Sequence, residues 1–241
     1  MKTIKYLSCV AFLALSGSAL AVTTTFNTVA GATDAAGEPV NAQVVFTTSA
    51  DMLTITLTNL IVNQKSVGQN ISDLFFSLAG SGATGGSITT DGPDALVNVS
   101  STGAASSAGT GPSGWTLSFS GGTFHLDGLN SAAFVPSHTI LGAPDGSGNY
   151  SNANSSIAGN NPHNPFIDQN ATWTLSIPGI TAGTFVTSAT FSFGTASGDT
   201  SGGGGHCTSG CGENTPDGGT TSLLLGFALT GLAVMRRYLK V

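Results

Sequence analysis

Leu53-Thr54-Ile55-Thr56-Leu57-Thr58 alternates apolar and hydroxyl side chains with a period of two. Successive side chains of an extended chain point to opposite faces, so Leu53, Ile55 and Leu57 share one face of a sheet and the threonines the other. Trp173, Leu175 and Ile177 repeat the scheme between Thr172, Thr174 and Ser176, as do Trp115, Leu117 and Phe119. Phe191 and Phe193 flank Ser192 in the same way. Such alternation is the mark of half-buried antiparallel strands. No stretch between 22 and 216 carries a helical stripe with capping signals.

Extending this reading predicts strands near 41–49, 51–59, 71–79, 85–90, 95–100, 114–120, 122–127, 171–178 and 184–194. Turn residues separate them, including Gly80-Ser81-Gly82, Asp91-Gly92-Pro93, Gly121-Gly122 and Pro178-Gly179. Many short strands with this spacing predict an all-β antiparallel β-sandwich, jelly-roll-like, over 22–196. Both tryptophans are in phase with the core-facing positions, so burial is expected for them.

Charge narrows the function. Of 241 residues only 7% are charged, against roughly a quarter in an ordinary soluble domain. Between 22 and 216 the sole basic residue is Lys65, set against eleven acids. Phosphate neutralisation needs clustered Lys or Arg, so nucleic-acid binding is excluded. Attraction of this body to anionic lipid is excluded on the same ground.

The two ends read as addresses. Lys2 and Lys5, the apolar run 10–15 and Ala19-Leu20-Ala21 form a secretory signal peptide over 1–21, cleaved before Val22. A helical h-region is expected there. At the other end Thr215-Pro216-Asp217-Gly218-Gly219 precedes an apolar stretch, 222–235, and then Arg236, Arg237 and Lys240. As a helix those 14 residues reach about 21 Å, short of the roughly 30 Å hydrocarbon core. The basic cluster should stay cytoplasmic, leaving the upstream domain outside.

Motif, short span and Arg pair, in that order over 215–241, resemble the PEP-CTERM sorting signal of exported proteins in Gram-negative, exopolysaccharide-producing bacteria. Pro216-Asp217-Gly218-Gly219 stands where that family has Pro-Glu-Pro and is similar to a variant of it. The resemblance implies that signal peptidase and exosortase, a membrane-embedded cysteine transpeptidase, act on the precursor. It implies cleavage at or before Pro216, through recognition of Pro216, Asp217, Gly218, Gly219, Arg236 and Arg237. An inner-membrane-spanning precursor would become a surface or matrix protein with a structural or adhesive role in biofilm or exopolysaccharide. A permanent single-pass anchor is the competing reading of the tail. Residues 68–76 and 156–166 also resemble segments of uncharacterised members of that group, which implies shared architecture alone.

Two regions resist a strand reading. Residues 137–170, rich in Asn, Gly and Pro, are longer than an ordinary loop and hold His138, Asp145, Tyr150, His163, Phe166 and Asp168. Any ligand site is expected there, with Trp115 or Trp173 as stacking platforms if the domain is a carbohydrate-binding module. Residues 197–214 read as a Gly-rich flexible linker, about 25 Å long as a random coil. Within it Cys207 and Cys211 are candidates for a local disulfide in an oxidising envelope, with a metal site shared with His206 as the alternative.

No cofactor, metal site or catalytic residue is assigned, and a non-enzymatic protein is expected. His138, His163, Asp145 and Asp168 lack a G-x-S-x-G or H-E-x-x-H frame. The stretch 145–151 begins like a calcium loop, but Tyr150 stands at the glycine position and Ser156 at the position of the closing Glu.

Overall fold

A computed structural model describes residues 21–80, 82–129, 134–196 and 203–211. Signal-peptide residues 1–20, with Ala19, and the sorting tail 215–241, with Pro216, Asp217, Gly218, Gly219, Arg236 and Arg237, lie outside them. Among the described residues no helix is long and apolar enough to cross a membrane.

Among the described residues fourteen strands form two sheets. They are β1 (Val22–Thr28), β2 (Ala42–Ser49), β3 (Met52–Asn59), β4 (Ile71–Leu78), β5 (Ser87–Asp91), β6 (Asp94–Val99) and β7 (Ala105–Gly111). Then follow β8 (Thr116–Ser120), β9 (Thr123–Asp127), β10 (Ile140–Leu141), β11 (Phe166–Asp168), β12 (Asn170–Ser176), β13 (Val186–Phe193) and β14 (Gly205–Ser209). The first sheet runs β14-β1-β2-β3-β12-β5. The second runs β7-β6-β11-β10-β4-β9-β8, with β13 also paired to β4. Named strands pair antiparallel except β10 with β11. The molecule is an all-β sandwich.

The alternation of β3 carries through its neighbours. Register sets Phe46 opposite Ile55 and Ile55 opposite Trp173, all wholly buried. One residue along, Val45, Thr56 and Thr172 line the outer face, where the Thr56 and Thr172 hydroxyls lie 3.2 Å apart. Across the sandwich Leu74 and Phe76 of β4, Phe124 and Leu126 of β9 and Phe191 of β13 close the core. Phe46 meets Phe76 at 5.2 Å between centroids, and Phe76 stacks on Phe124 at 5.1 Å. These rings span the gap between sheets, where each buried aromatic contributes several kcal/mol (about 3–5 on truncation).

Three expectations need correction. The linker assigned to 197–214 contains β14, which pairs with β1 through Thr28↔Gly205 and Thr25↔Ser209. The sandwich therefore extends past 196. Gly205 makes this fit: a Cβ there would stand 3.0 Å from the Ala189 carbonyl and 3.1 Å from the Phe191 ring. Strands β1 and β7 also lie where none was predicted. Finally, 137–170 is not a free loop, because β10, β11 and the first residue of β12 fall inside it.

Tyr150, Ile157, Phe166 and Leu141 of that segment are buried with Val97 and Val99 in a second, smaller core. An amide network ties it to the turn over Val67–Gln69 that precedes β4. Asn70 Nδ2 donates to Thr139 Oγ1 (2.7 Å), and Asn59 Nδ2 to the Gln69 and Ile140 carbonyls. Gly142 N–H donates to Gln64 Oε1 (2.7 Å), and Gln64 also bonds Asn70. Buried amides satisfied in this way fix one arrangement of the chain.

Candidate functional site

The residues singled out in 137–170 are each absorbed by their surroundings. His138 is 5% exposed and its Nδ1–H donates to the Pro112 and Ser113 carbonyls, both at 3.1 Å. Burial holds its pKa below the usual imidazole value. His163 donates through Nδ1 to the Ser156 carbonyl (3.1 Å). Asp145 Oδ1 accepts from the Ser147 and Asn149 N–H groups and Oδ2 from the Ser151 hydroxyl, the last of these first among the causes that lower its pKa. Its oxygens thus serve a tight turn. Asp168 accepts from Gln169 Nε2 (3.3 Å). Among the described residues no hydrogen bond joins any two of these four.

Trp115 and Trp173 are 3% and 0% exposed and pack together at 5.0 Å between centroids. Trp173 Nε1–H donates to Ser113 Oγ (2.8 Å) and Trp115 Nε1–H to the His138 carbonyl (2.9 Å). Neither ring offers a face to a sugar. Cys207 and Cys211 are joined as a disulfide, and His206 lies beside them in β14.

The structure brings a different set together. Asp73 on β4 lies directly opposite Asp127 on β9, and Phe75 opposite His125. Leu74 and Phe76 fill the core, so the odd-numbered residues of both strands share the opposite face. His125 Nε2 sits 3.0 Å from Asp73 Oδ1 and 3.8 Å from Asp127 Oδ2. One donor atom from each of the three lies within 4.8 Å of the others. Asp73 is wholly buried and Asp127 4% exposed, while the His125 side chain keeps 19% exposure.

Each carboxylate is held by its second oxygen. Ser72 Oγ donates to Asp73 Oδ2 (3.1 Å), and Leu129 N–H donates to Asp127 Oδ1 (2.8 Å). Phe75 stacks on the imidazole at 3.9 Å with planes 12° apart. Burial pushes the Asp73 carboxyl above its ordinary pKa; the His125 hydrogen bond opposes this, and the Asp127 carboxylate reinforces it. Two facing carboxyls and an imidazole can share a proton or hold a divalent cation.

Alternation along β9 puts His125 and Asp127 on one face, a signal present in the sequence. What the sequence lacks is the pairing of β4 with β9, which supplies Asp73 from 52 residues away.

A broader cleft of about 570 Å³ lies on the turn after β3, between Glu38, Leu60, Val62, Lys65 and Asn152. Lys65 and Glu38 of its lining form an ion pair, 2.5 Å between Nζ and Oε1. The body's lone cation is thereby neutralised.

Comparison with known proteins adds the tail. Residues 216–239 match the VPDSG-CTERM motif. The chain reads Thr215-Pro216-Asp217-Gly218-Gly219 there, with Thr in place of the motif's Val and Gly in place of its Ser. No curated protein and no solved structure matches the chain. The tail is a PEP-CTERM-like sorting signal, and the chain is an exported, surface-sorted protein processed by an exosortase-like enzyme.

Proposed function

We propose that the β-sandwich is a non-enzymatic structural or adhesive element of the extracellular matrix, freed from a membrane-held precursor by cleavage at or before Pro216. The observation that carries this is the sorting motif over 216–239, on a chain whose described residues fold as a β-sandwich. Three features of the body support it. The outer face of its first sheet carries a row of threonines, Thr54, Thr56 and Thr58 of β3 beside Thr172 and Thr174 of β12, which exchange hydrogen bonds with hydrated polysaccharide without needing charge. Its only lysine is spent on Glu38. Its tryptophans are buried, so contact with polysaccharide runs through hydroxyl-lined sheet rather than aromatic platforms.

Mass spectrometry of the protein isolated from its host tests the reading. The mature chain should begin at Val22 and end at or before the motif, and loss of the host transpeptidase should leave the precursor uncut. A mature protein that still carries Arg236 and Arg237 in the membrane fraction overturns it.

A further inference from the structure

We propose that Asp73, His125 and Asp127 form a binding site for one divalent transition-metal ion of the zinc type, clamping β4 to β9 on the outer face of the second sheet. Donor spacing is the first argument. An ion about 2.0–2.2 Å from each of several tetrahedral donors keeps those donors roughly 3.3–3.6 Å apart. The Nε2 separations of 3.0 and 3.8 Å bracket that range, and the two carboxylate donors lie within 4.8 Å of each other, so modest side-chain shifts bring all three onto one ion.

The second argument is support around the ligands. Metal ligands are held by outer partners that fix their orientation. Here Ser72 Oγ and Leu129 N–H take the far oxygen of each carboxylate, turning the near oxygen toward Nε2. Phe75 packs flat on the imidazole and sets the plane of the ring. The third argument is charge. Asp73 and Asp127 face each other across the strand pair, and a 2+ ion balances two facing carboxylates. Entry is from the His125 side, the only one of the three side chains with substantial exposure.

Chemistry selects the class of ion. One imidazole with two carboxylates suits zinc and its first-row neighbours, whereas calcium takes six to eight oxygens. No redox step or substrate is required: the ion joins Asp73 to residues 52 and 54 positions further along, which locks the register of β4 and β9.

The test uses the full-length chain, stripped of metal with a chelator and titrated with Zn2+ in a calorimeter. Expected is one ion per chain, a raised unfolding temperature, and binding weakened about 100-fold or more by His125→Gln. Ser72→Ala should weaken it about tenfold through loss of the outer partner, and His206→Gln should leave it unchanged. Cobalt(II) gives a readout on the unaltered chain, independent of how the variants fold: visible d–d bands of tetrahedral nitrogen and oxygen ligation, bleached by zinc, with no thiolate charge-transfer band. Absence of zinc binding by the unaltered chain overturns the proposal. So does affinity that survives His125→Gln or disappears with His206→Gln.

Discussion

Asp94→Asn should stabilise the domain above neutral pH and destabilise it in acid. Asp94 opens β6, just after the Gly92-Pro93 turn that carries the chain from one sheet to the other. Gly92 has φ +71, and a Cβ there would stand 2.6 Å from the Asp94 nitrogen and 2.8 Å from the Gly111 carbonyl, so the turn has no room to relax. Asp94 is 6% exposed; Oδ1 accepts the Thr172 N–H (3.1 Å), and Oδ2 has no partner among the described residues. Burial pushes the carboxyl up to about 6; the Thr172 N–H opposes that shift and the Asp91 charge adds to it.

The folded chain therefore binds this proton more tightly than the unfolded chain, where the group titrates near 3.8. The stability this provides is complete below about pH 3.8, drains away as pH rises to about 6, and is gone above that. A gap of about two pH units at about 1.36 kcal/mol each sets a ceiling near 3 kcal/mol. Asparagine keeps the acceptor for Thr172 and cannot ionise. Its NH2 becomes a buried donor, which returns about 1–2 kcal/mol. The net gain at pH 8 is then about 1–2 kcal/mol, or roughly 2–6 °C in Tm, with a loss of similar size at pH 3.5. Calorimetric unfolding of both chains from pH 3.5 to 8 reads this directly. A variant that lowers Tm equally at both ends of the range shows that Asp94 is ionised and satisfied in the folded chain, and the reasoning fails.

Ser113→Ala should cost about 3 kcal/mol in a denaturant titration, because it orphans buried groups on two elements. Ser113 Oγ accepts from Trp173 Nε1 and the Trp115 N–H and donates to Asp91 Oδ1 (2.5 Å); a cost under about 1 kcal/mol would mean these bonds are replaceable. Cys207→Ser removes a bond that closes a small loop, and chain entropy for so few residues gives about 2 kcal/mol. That loss should appear in thermal unfolding of the oxidised chain and vanish in reductant. An equal difference under both conditions would assign it to packing of Cys207 instead.

Strands with alternating apolar residues were legible, edge strand β8 among them, and strands without that alternation were not. β2, β3 and β12 carry strict alternation because one face of each meets the core, and burial enforces the pattern on the sequence. β7, Ala105-Ser106-Ser107-Ala108-Gly109-Thr110-Gly111, has no large apolar residue, and β14 is Gly205-His206-Cys207-Thr208-Ser209. Both are edge strands whose main-chain pairing with β6 and β1 shapes them, and pairing leaves little trace in side-chain pattern. Residues 137–170 misled for a related reason. Their Asn and Gly content reads as a loop, while Tyr150, Ile157 and Phe166 are spaced too irregularly to announce a core. The histidines followed suit: His138 and His163 stood out by their setting in a long segment, and His125, in a short strand, acquired its carboxylate partner only through the fold.

The pairing of β1 with β14 has a consequence for the order of events during secretion. The first strand after Val22 and the last before the tail are neighbours in space, although about 180 residues separate them in register, as Phe26↔Cys207 shows. A polypeptide threaded outward amino end first presents β1 at once, with one margin of its hydrogen-bonding groups unmet. That margin waits until Gly205–Ser209 emerges, within a few residues of the sorting motif. Completion of the first sheet thus waits for the stretch of chain just ahead of the sorting motif.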